Sequence, residues 1–181
     1  MNKTLKLTTF AQVLCLLVLS LASAIAQTPD NPISAGQKSL YASVNNNLIR
    51  GAEKMPEENY SFKPTPEVRS FGQLVGHVAD AQYMLCSAVL GEKNPAPGIE
   101  KNKTSKADLV QALKDSVAYC DKAYDGLTDV QAAQMVKLFG RDQAKATVLT
   151  RNTMHDMEHY GNMVTYLRLK GIVPPSSEAR R

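Results

Sequence analysis

Residues 147–170 read TVLTRNTMHDMEHYGNMVTYLRLK, a pattern with a helical period that places His155 and His159 four residues apart. Side chains at positions i and i+4 project from one face of a helix, about one turn apart. Two imidazoles at this spacing can bind one cation. Their stripe is too apolar for a solvated face and too polar for plain core, which is typical of an inward-facing site. Its members are Val148, Asn152, His155, His159, Met163 and Tyr166.

The chain has one further histidine, His77, and it also lies on an apolar helical stripe. A neutral imidazole is a common ligand of Zn, Ni, Fe or Mn. Three protein ligands with an open fourth position are typical of a catalytic zinc site, whereas structural zinc usually has four protein ligands. No fourth ligand is evident in the sequence. We therefore predict that His77, His155 and His159 together bind one divalent metal cation and leave a position open.

A HxxxH pair can also arise by chance, and histidine pairs on protein surfaces are ordinary. The motif differs from HExxH because Asp156 follows His155, so the general base of that zinc-protease motif is absent. Two observations favour metal binding. Every histidine in the chain lies on a core-facing stripe, and three buried imidazoles without partners would be costly.

Several polar side chains near the histidines are candidates for orienting them or for lining a substrate site. A ligand imidazole usually donates its second N–H to a carboxylate or carbonyl. Asp80, Asp156 and Glu158 flank the stripes, although for any one of them a rim charge paired with Lys or Arg is the simpler interpretation. Asn152 and Asn162 lie one turn on either side of the pair and can position water or substrate, or bond within the protein. No general acid or base is identified.

The N-terminus has the pattern of a secretory signal peptide. Lys3 and Lys6 precede an apolar run, and Ala-Ile-Ala at 24–26 matches a small-residue cleavage site. The apolar run is short for a membrane-spanning helix, and an uncleaved anchor is the alternative. We predict a signal peptide over 1–26 and one exported domain over 27–181, periplasmic or extracellular, with no stable membrane span after cleavage.

The charge distribution limits the kinds of partner that the protein can bind. The full chain has a formal net charge of +4, and loss of two lysines with the leader halves it. Basic residues are interleaved with acidic ones, so no nucleic-acid partner is predicted.

Export permits a disulfide between Cys86 and Cys120, but both lie in predicted helices and sequence alone does not bring them into bonding range. The simpler interpretation is two small buried side chains, with the disulfide left open.

Four long amphipathic patterns separated by Pro- and Gly-containing loops predict an all-α protein, a four-helix bundle. The helices are predicted over 34–54, 71–90, 105–125 and 147–170. Ser70 and Gln73 form a capping-box pattern before the second helix, where Gly72 and Gly76 leave a bare flank that another backbone could approach. Residues 129–138 predict a short helix, and no strand-like alternation is present. The inward stripe of the first helix is predicted to be Leu40, Val44, Leu48 and Ala52 or Met55.

The chain resembles the DinB-like (DinB/YfiT) family of metalloenzymes over essentially residues 33–177. Two segments carry the resemblance, RSFGQLVGHVADAQYMLC around His77 and MHDMEHYGNMVTYLRLKGIVPPSS around His155 and His159. The loop MPEENYSFKPTPEVRS also resembles the segment before the first-histidine helix in that family. One histidine followed by a distant HxxxH pair is moderately specific, and the long C-terminal match strengthens it.

The resemblance implies a four-helix bundle with an unusual handedness of connection, and a divalent metal on His77, His155 and His159. The family includes thiol-dependent S-transferases and related proteins to which metal activation of a thiol or water is attributed. Its name refers to damage-inducible expression and does not imply DNA binding. Predicted export sets this chain apart, because low-molecular-weight thiols are chiefly cytoplasmic, and this weighs against thiol transfer.

Three functional hypotheses remain from the sequence. The first is an exported metal-dependent hydrolase or thiol/S-transferase that acts on a small molecule of unknown structure, since a bound metal can supply a nucleophile at neutral pH. The second is a non-catalytic module that binds metal or a small ligand, which the lack of a recognisable base favours. The third is an interaction protein with vestigial histidines. A homodimer is compatible with each of them.

Overall fold

A computed structural model describes residues 30–179, and the predicted signal peptide lies outside this range. Its four long helices are α1 (Pro32–Lys54), α2 (Phe71–Leu90), α4 (Lys106–Asp125) and α6 (Lys145–Leu169). Its two short helices are α3 (Ile99–Asn102) and α5 (Asp129–Ala132). Strands β1 (Met135–Leu138) and β2 (Arg141–Ala144) form a hairpin, and 3₁₀ turns lie at Glu57–Asn59 and Pro175–Ser177. None of the helices in this range is long and apolar enough to cross a bilayer.

The four long helices pack as a bundle in which each contacts two others. Helix α2 packs against α4 and α6, and α1 packs against the same two helices. Therefore α1 and α2 occupy opposite corners of the bundle, as do α4 and α6. The predicted helical bundle is confirmed for the described residues. Because the chain crosses between corners after α1 and after α4, the two histidine-bearing helices, α2 and α6, become neighbours.

Helix α2 begins where the sequence predicts, whereas α1 begins earlier. The Ser70 hydroxyl accepts from the Gln73 backbone N–H and the Gln73 side chain accepts from the Ser70 backbone N–H, so the capping box is complete. Helix α1 starts at Pro32 instead of Ser34, and the carboxylate of Asp129 accepts the backbone N–H groups of its first turn. Because Asp129 lies 95 residues away in the sequence, no residue near Pro32 indicates this cap.

The prediction of a helix over 129–138 is correct only for its first half. Helix α5 ends at Ala132, and β1 and β2 then pair antiparallel with Leu138 opposite Arg141. The turn residues Phe139 and Gly140 both have positive φ, 51° and 75°, as in the type I′ hairpin turn. Only Leu138 of β1 is fully buried. Burial does alternate along β1, where Val136 and Leu138 are less exposed than Met135 and Lys137. The expectation of no strand is therefore wrong here. The strand is only four residues long, its outward Met135 is apolar, and β2 reads Arg-Asp-Gln-Ala, so the sequence shows no clear alternation.

Cys86 and Cys120 form a disulfide that joins α2 to α4. The interpretation of two separate buried side chains was therefore wrong. Their Cα atoms lie 5.3 Å apart, within the range that the bond requires, because α2 and α4 are neighbouring helices. Both residues are fully buried, so the cross-link lies inside the core.

We expect a Cys86→Ala/Cys120→Ala double variant to lose roughly 3–4 kcal/mol of unfolding free energy. A cross-link that closes a loop of 34 residues removes about that much entropy from the unfolded chain. Urea denaturation followed by circular dichroism measures the loss. Wild-type protein unfolded under reducing conditions separates the effect of the bond from that of the missing sulfur atoms. A double variant as stable as oxidised wild type would show that the bond does not form in solution.

Candidate metal centre

The three histidines meet between α2 and α6. The Nε2 atom of His155 lies 3.2 Å from Nε2 of His77 and 3.0 Å from Nε2 of His159. One ligand atom from each residue lies within 4.8 Å of the other two. Three nitrogens at tetrahedral positions around zinc, each at the usual zinc–nitrogen distance, would lie roughly 3.3 Å apart. The donor atoms thus have the chemistry and the spacing to hold one small cation.

Burial keeps two of these imidazoles neutral. His159 is only 7% exposed, and His155 is partly buried. Burial lowers the pKa of His155 to about 4, and the neighbouring His77 adds to the effect. Burial likewise lowers the pKa of His159 to about 4, with a further contribution from His155. Neutral imidazole is the form that binds metals, so at neutral pH these two residues need not release protons before binding.

Glu100 orients His77, and sequence reasoning missed it. Its Oε2 atom lies 3.2 Å from Nδ1 of His77, and its Oε1 atom accepts from Nε of Arg69 at 2.9 Å. A proton on Nδ1 that points to a carboxylate leaves Nε2 free for a metal. Glu100 lies on α3, inside a segment that the sequence predicts only as a loop. No local pattern pairs it with a histidine 23 residues away.

Asp80 and Gly76 of α2 determine where α3 lies. The carboxylate of Asp80 accepts from the backbone N–H groups of Gly98, Ile99 and Glu100 at 2.8, 2.8 and 2.9 Å. Asp80 was a candidate to bond to a histidine. It instead fixes α3, the helix that carries Glu100. A Cβ atom at Gly76 would lie 2.8 Å from Cα of Glu100. The predicted close approach of another backbone to this flank is confirmed, and the backbone is that of Glu100.

The other predicted site residues differ in how near they come to the imidazoles. The side-chain amide nitrogen of Asn162 lies 3.3 Å from Nδ1 of His159, and turning the amide would place its oxygen there as an acceptor. Glu158 is exposed and shares a cleft with His159. Asn152 is buried and donates to the Tyr124 hydroxyl at 3.3 Å instead of contacting a histidine.

Asp156 belongs to a buried row of polar side chains between α1, α2 and α6. Its Oδ2 atom accepts from Asn45, whose amide oxygen accepts from Gln82 at 2.7 Å. Gln82 in turn accepts from the Tyr41 hydroxyl at 3.1 Å. Burial raises the pKa of Asp156 to about 8, against the opposing effect of its hydrogen bonds. The side chain is therefore engaged with α1, away from the imidazole nitrogens.

Three buried polar atoms of α6 have no hydrogen-bond partner among residues 30–179. They are Oδ1 of Asn152, Nδ1 of His155 and Oδ1 of Asp156. An unpaired buried polar atom costs roughly 1–3 kcal/mol. Such groups are few in native proteins and call for an explanation. All three lie within five residues of α6, so the segment that carries His155 is less stable than a fully satisfied one.

Three clefts of the described residues border the histidine cluster. The smaller cleft, of about 340 Å³, is bordered by His77 and His155 and is otherwise mostly apolar. Of the two larger clefts, one of about 820 Å³ is bordered by His155. The other, of about 810 Å³, is bordered by His159. Its polar and charged lining includes Lys63, Arg69, Glu100, Glu158 and Asn162. A cation held by the three imidazoles would therefore be reachable from solvent.

Comparison with known proteins places all three histidines inside a region that matches a protein family. The model of the DinB superfamily matches residues 41–163. The uncharacterized protein YjoA of Bacillus subtilis (strain 168) is 28% identical over 123 residues, which cover 66% of this chain and 79% of that protein.

Solved structures show the same fold. A DinB-like protein from Bacillus cereus ATCC 10987 superposes with a TM-score of 0.69 at 17% identity, over 78% of this chain and 95% of that one. YjoA from Bacillus subtilis superposes with a TM-score of 0.64 at 24% identity, over 83% and 100% of the two chains. A mutant of the mycothiol-dependent maleylpyruvate isomerase gives 0.60 at 16% identity, over 72% and 60%. At these identities the likenesses establish the fold alone.

We expect Gly76→Ala to lower the affinity for a divalent cation by about tenfold or more. The added methyl group would push the Glu100 backbone away, and partners that orient metal-binding imidazoles are typically worth 10- to 100-fold in affinity. Competition with a chromogenic chelator measures the change.

The matched control is Gly161→Ala on α6, where a Cβ atom meets nothing within 4 Å, and its affinity should equal that of wild type. Glu100→Gln tests the carboxylate without displacing α3. Wild-type affinity in both Gly76→Ala and Glu100→Gln would show that Glu100 does not orient His77.

Proposed function

The chain belongs to the DinB superfamily, and from this membership and the three-histidine geometry we propose that it binds one divalent cation through His77, His155 and His159. Zn, Ni, Fe and Mn all suit imidazole ligands. One observation carries the proposal, the approach of three Nε2 atoms from two helices at 3.0 and 3.2 Å. Neutral imidazoles buried together in this way gain a shared partner when a cation binds between them.

The proposed reaction is metal-dependent hydrolysis or thiol/S-transfer on a small-molecule substrate of unknown structure. Three protein ligands leave a position open on a small cation, and three clefts border the centre. When bound, the metal supplies Lewis acidity and a nucleophile at neutral pH. The chain itself contributes orientation of His77 by Glu100 and of His159 by Asn162. The exposed carboxylate of Glu158 lines both of the larger clefts, where it can exchange a proton with a bound molecule.

Export is the second part of the proposal. The leader pattern at 1–26 supports it, and so does the disulfide between Cys86 and Cys120, since such bonds persist in oxidising compartments. The structural likeness to a mycothiol-dependent isomerase supports thiol chemistry. An exported location favours hydrolysis instead, because low-molecular-weight thiols are chiefly cytoplasmic. Of the two reactions we therefore favour hydrolysis.

A non-catalytic module that binds metal or a small ligand is the second candidate. It is favoured by the placement of the acidic residues around the histidines. Asp156 is buried and bonded to Asn45, and Asp80 is engaged by three backbone N–H groups. Neither is therefore free to act as a general base.

Protein recovered from outside the cytoplasm should begin at Gln27 and contain about one divalent ion per chain. His77→Ala and His159→Ala should lose the metal, because each removes one of three ligands. Chelation should lower the melting temperature of wild type, since a ligand that binds only the folded state stabilises it by mass action. N-terminal sequencing, elemental analysis and thermal denaturation provide the readouts, with Gln111→Ala on exposed α4 surface as the control. Metal-free wild type with a melting temperature insensitive to chelator would instead indicate vestigial histidines.

Catalysis is tested by assaying metal-loaded protein on ester, amide and phosphoester hydrolysis and on thiol conjugation. We expect turnover of at least one class by wild type and a loss of about a hundredfold or more in His159→Ala, as for an essential catalytic contribution. Equal rates in wild type and His159→Ala would reject metal-dependent catalysis. Stoichiometric metal with no turnover of any substrate would favour the binding module.

A further inference from the structure

The tip of the β1–β2 hairpin forms one wall of the smaller cleft. The hairpin packs on both histidine-bearing helices, α2 and α6. Besides His77 and His155, the cleft is lined by Asp80, Ala81, Met84, Leu85, Phe139 and Arg151. This cleft therefore borders two of the three imidazoles with a wall that is chiefly apolar.

Phe139 occupies a position that its own chemistry disfavours. Its φ of 51° is uncommon for any residue except glycine, and asparagine, aspartate or glycine is preferred at the first central position of a type I′ turn. The side chain is also 67% exposed, so burial does not offset this backbone cost. Residues held in such conformations concentrate at ligand-binding sites. Phe139 therefore places an exposed aromatic ring at the edge of a mostly apolar cleft.

Arg151 is the one Lys or Arg side chain in the lining of the smaller cleft. It lies one turn before His155 on α6 and forms no salt bridge within residues 30–179. Asp80 is the one acidic residue in the lining, and its carboxylate already accepts three backbone N–H groups. The cleft thus combines an apolar wall with a guanidinium group that has no acidic partner.

We propose that this cleft is a binding subsite for a small amphipathic carboxylate. Its apolar body would pack against Phe139 and Met84, and its carboxylate would pair with Arg151, whose fork of N–H groups suits that anion. The volume of about 340 Å³ is within the usual range of small-molecule sites and suits a medium-chain acyl group. The assignment of this molecule as substrate rests on the proposed metal function, because the subsite borders His77 and His155.

The first test uses the full mature chain with metal removed by chelation, so that a carboxylate has no metal to bind. Calorimetry should detect saturable binding of octanoate and weaker binding of octanol and acetate, which each lack one of the two features. Arg151→Gln should weaken octanoate binding by about tenfold or more, as expected for a contact to a charged group, and leave octanol unchanged. Arg141→Gln, on the exposed β2 strand of the same hairpin, is the matched control and should bind both as wild type does. Absence of octanoate binding, or wild-type affinity in Arg151→Gln, would overturn the proposal.

The second test uses Phe139→Asn, because asparagine tolerates positive φ. This variant should melt at a higher temperature than wild type yet bind both octanoate and octanol several-fold more weakly. Met135→Asn, an exposed apolar residue elsewhere on the hairpin, should leave binding unchanged. A purely structural role for Phe139 predicts a lower melting temperature with intact binding, which would contradict the subsite.

Metal affinity measured in parallel separates this proposal from the proposed function. A chain that binds metal but not octanoate overturns the subsite alone. A chain that binds octanoate but no metal supports the subsite and overturns the proposed metal function.

Discussion

The contact between α2 and α6 brings together two segments that are far apart in sequence, and the candidate centre exists only because of it. The connections after α1 and α4 cross between corners of the bundle, so helices that are not consecutive become neighbours. Helix α2 is also held from two other directions. The disulfide joins it to α4, and α3 packs against Gly76 on its flank. The single histidine of α2 is thus positioned by a helix that is fixed on several sides.

The core of the bundle contains polar side chains whose burial lowers the stability of the fold. A row from Tyr41 through Gln82 and Asn45 to Asp156 runs through the core beside the histidines. Hydrogen bonds satisfy most of the row, yet burial still raises the pKa of Asp156, and one of its oxygens stays unpaired within the described range. A core built for stability alone would use apolar side chains at these positions. The polar row therefore costs stability, and its directed hydrogen bonds join α1 to α2 and α6.

Features that depend on neighbouring residues could be predicted from the sequence. The i, i+4 spacing placed His155 and His159 on one face, and the capping box placed the start of α2. Features that depend on tertiary packing could not. Most of the stripe predicted for α1 is buried as expected (Val44, Leu48, Ala52 and Met55), but Leu40 is 67% exposed and Tyr41 is buried in its place. The error arose because Tyr41 and Asn45 form part of the polar row, and buried polar residues interrupt the apolar pattern on which the prediction relied.

The imidazoles on α2 and α6 are oriented in different ways. His155 and His159 share a helix, so the rise per turn already fixes their separation, and their Nε2 atoms lie 3.0 Å apart. His77 comes from another helix and has no such constraint, so an external group must set its ring. That group is Glu100, which reaches His77 because Asp80 accepts the first N–H groups of α3 and because residue 76 has no side chain to obstruct it. Asp80 and Gly76 both lie within one turn of His77 on α2. Helix α2 therefore carries both His77 and the two residues that position its partner, Glu100. This is why α3, a short helix in a long loop, belongs to the site.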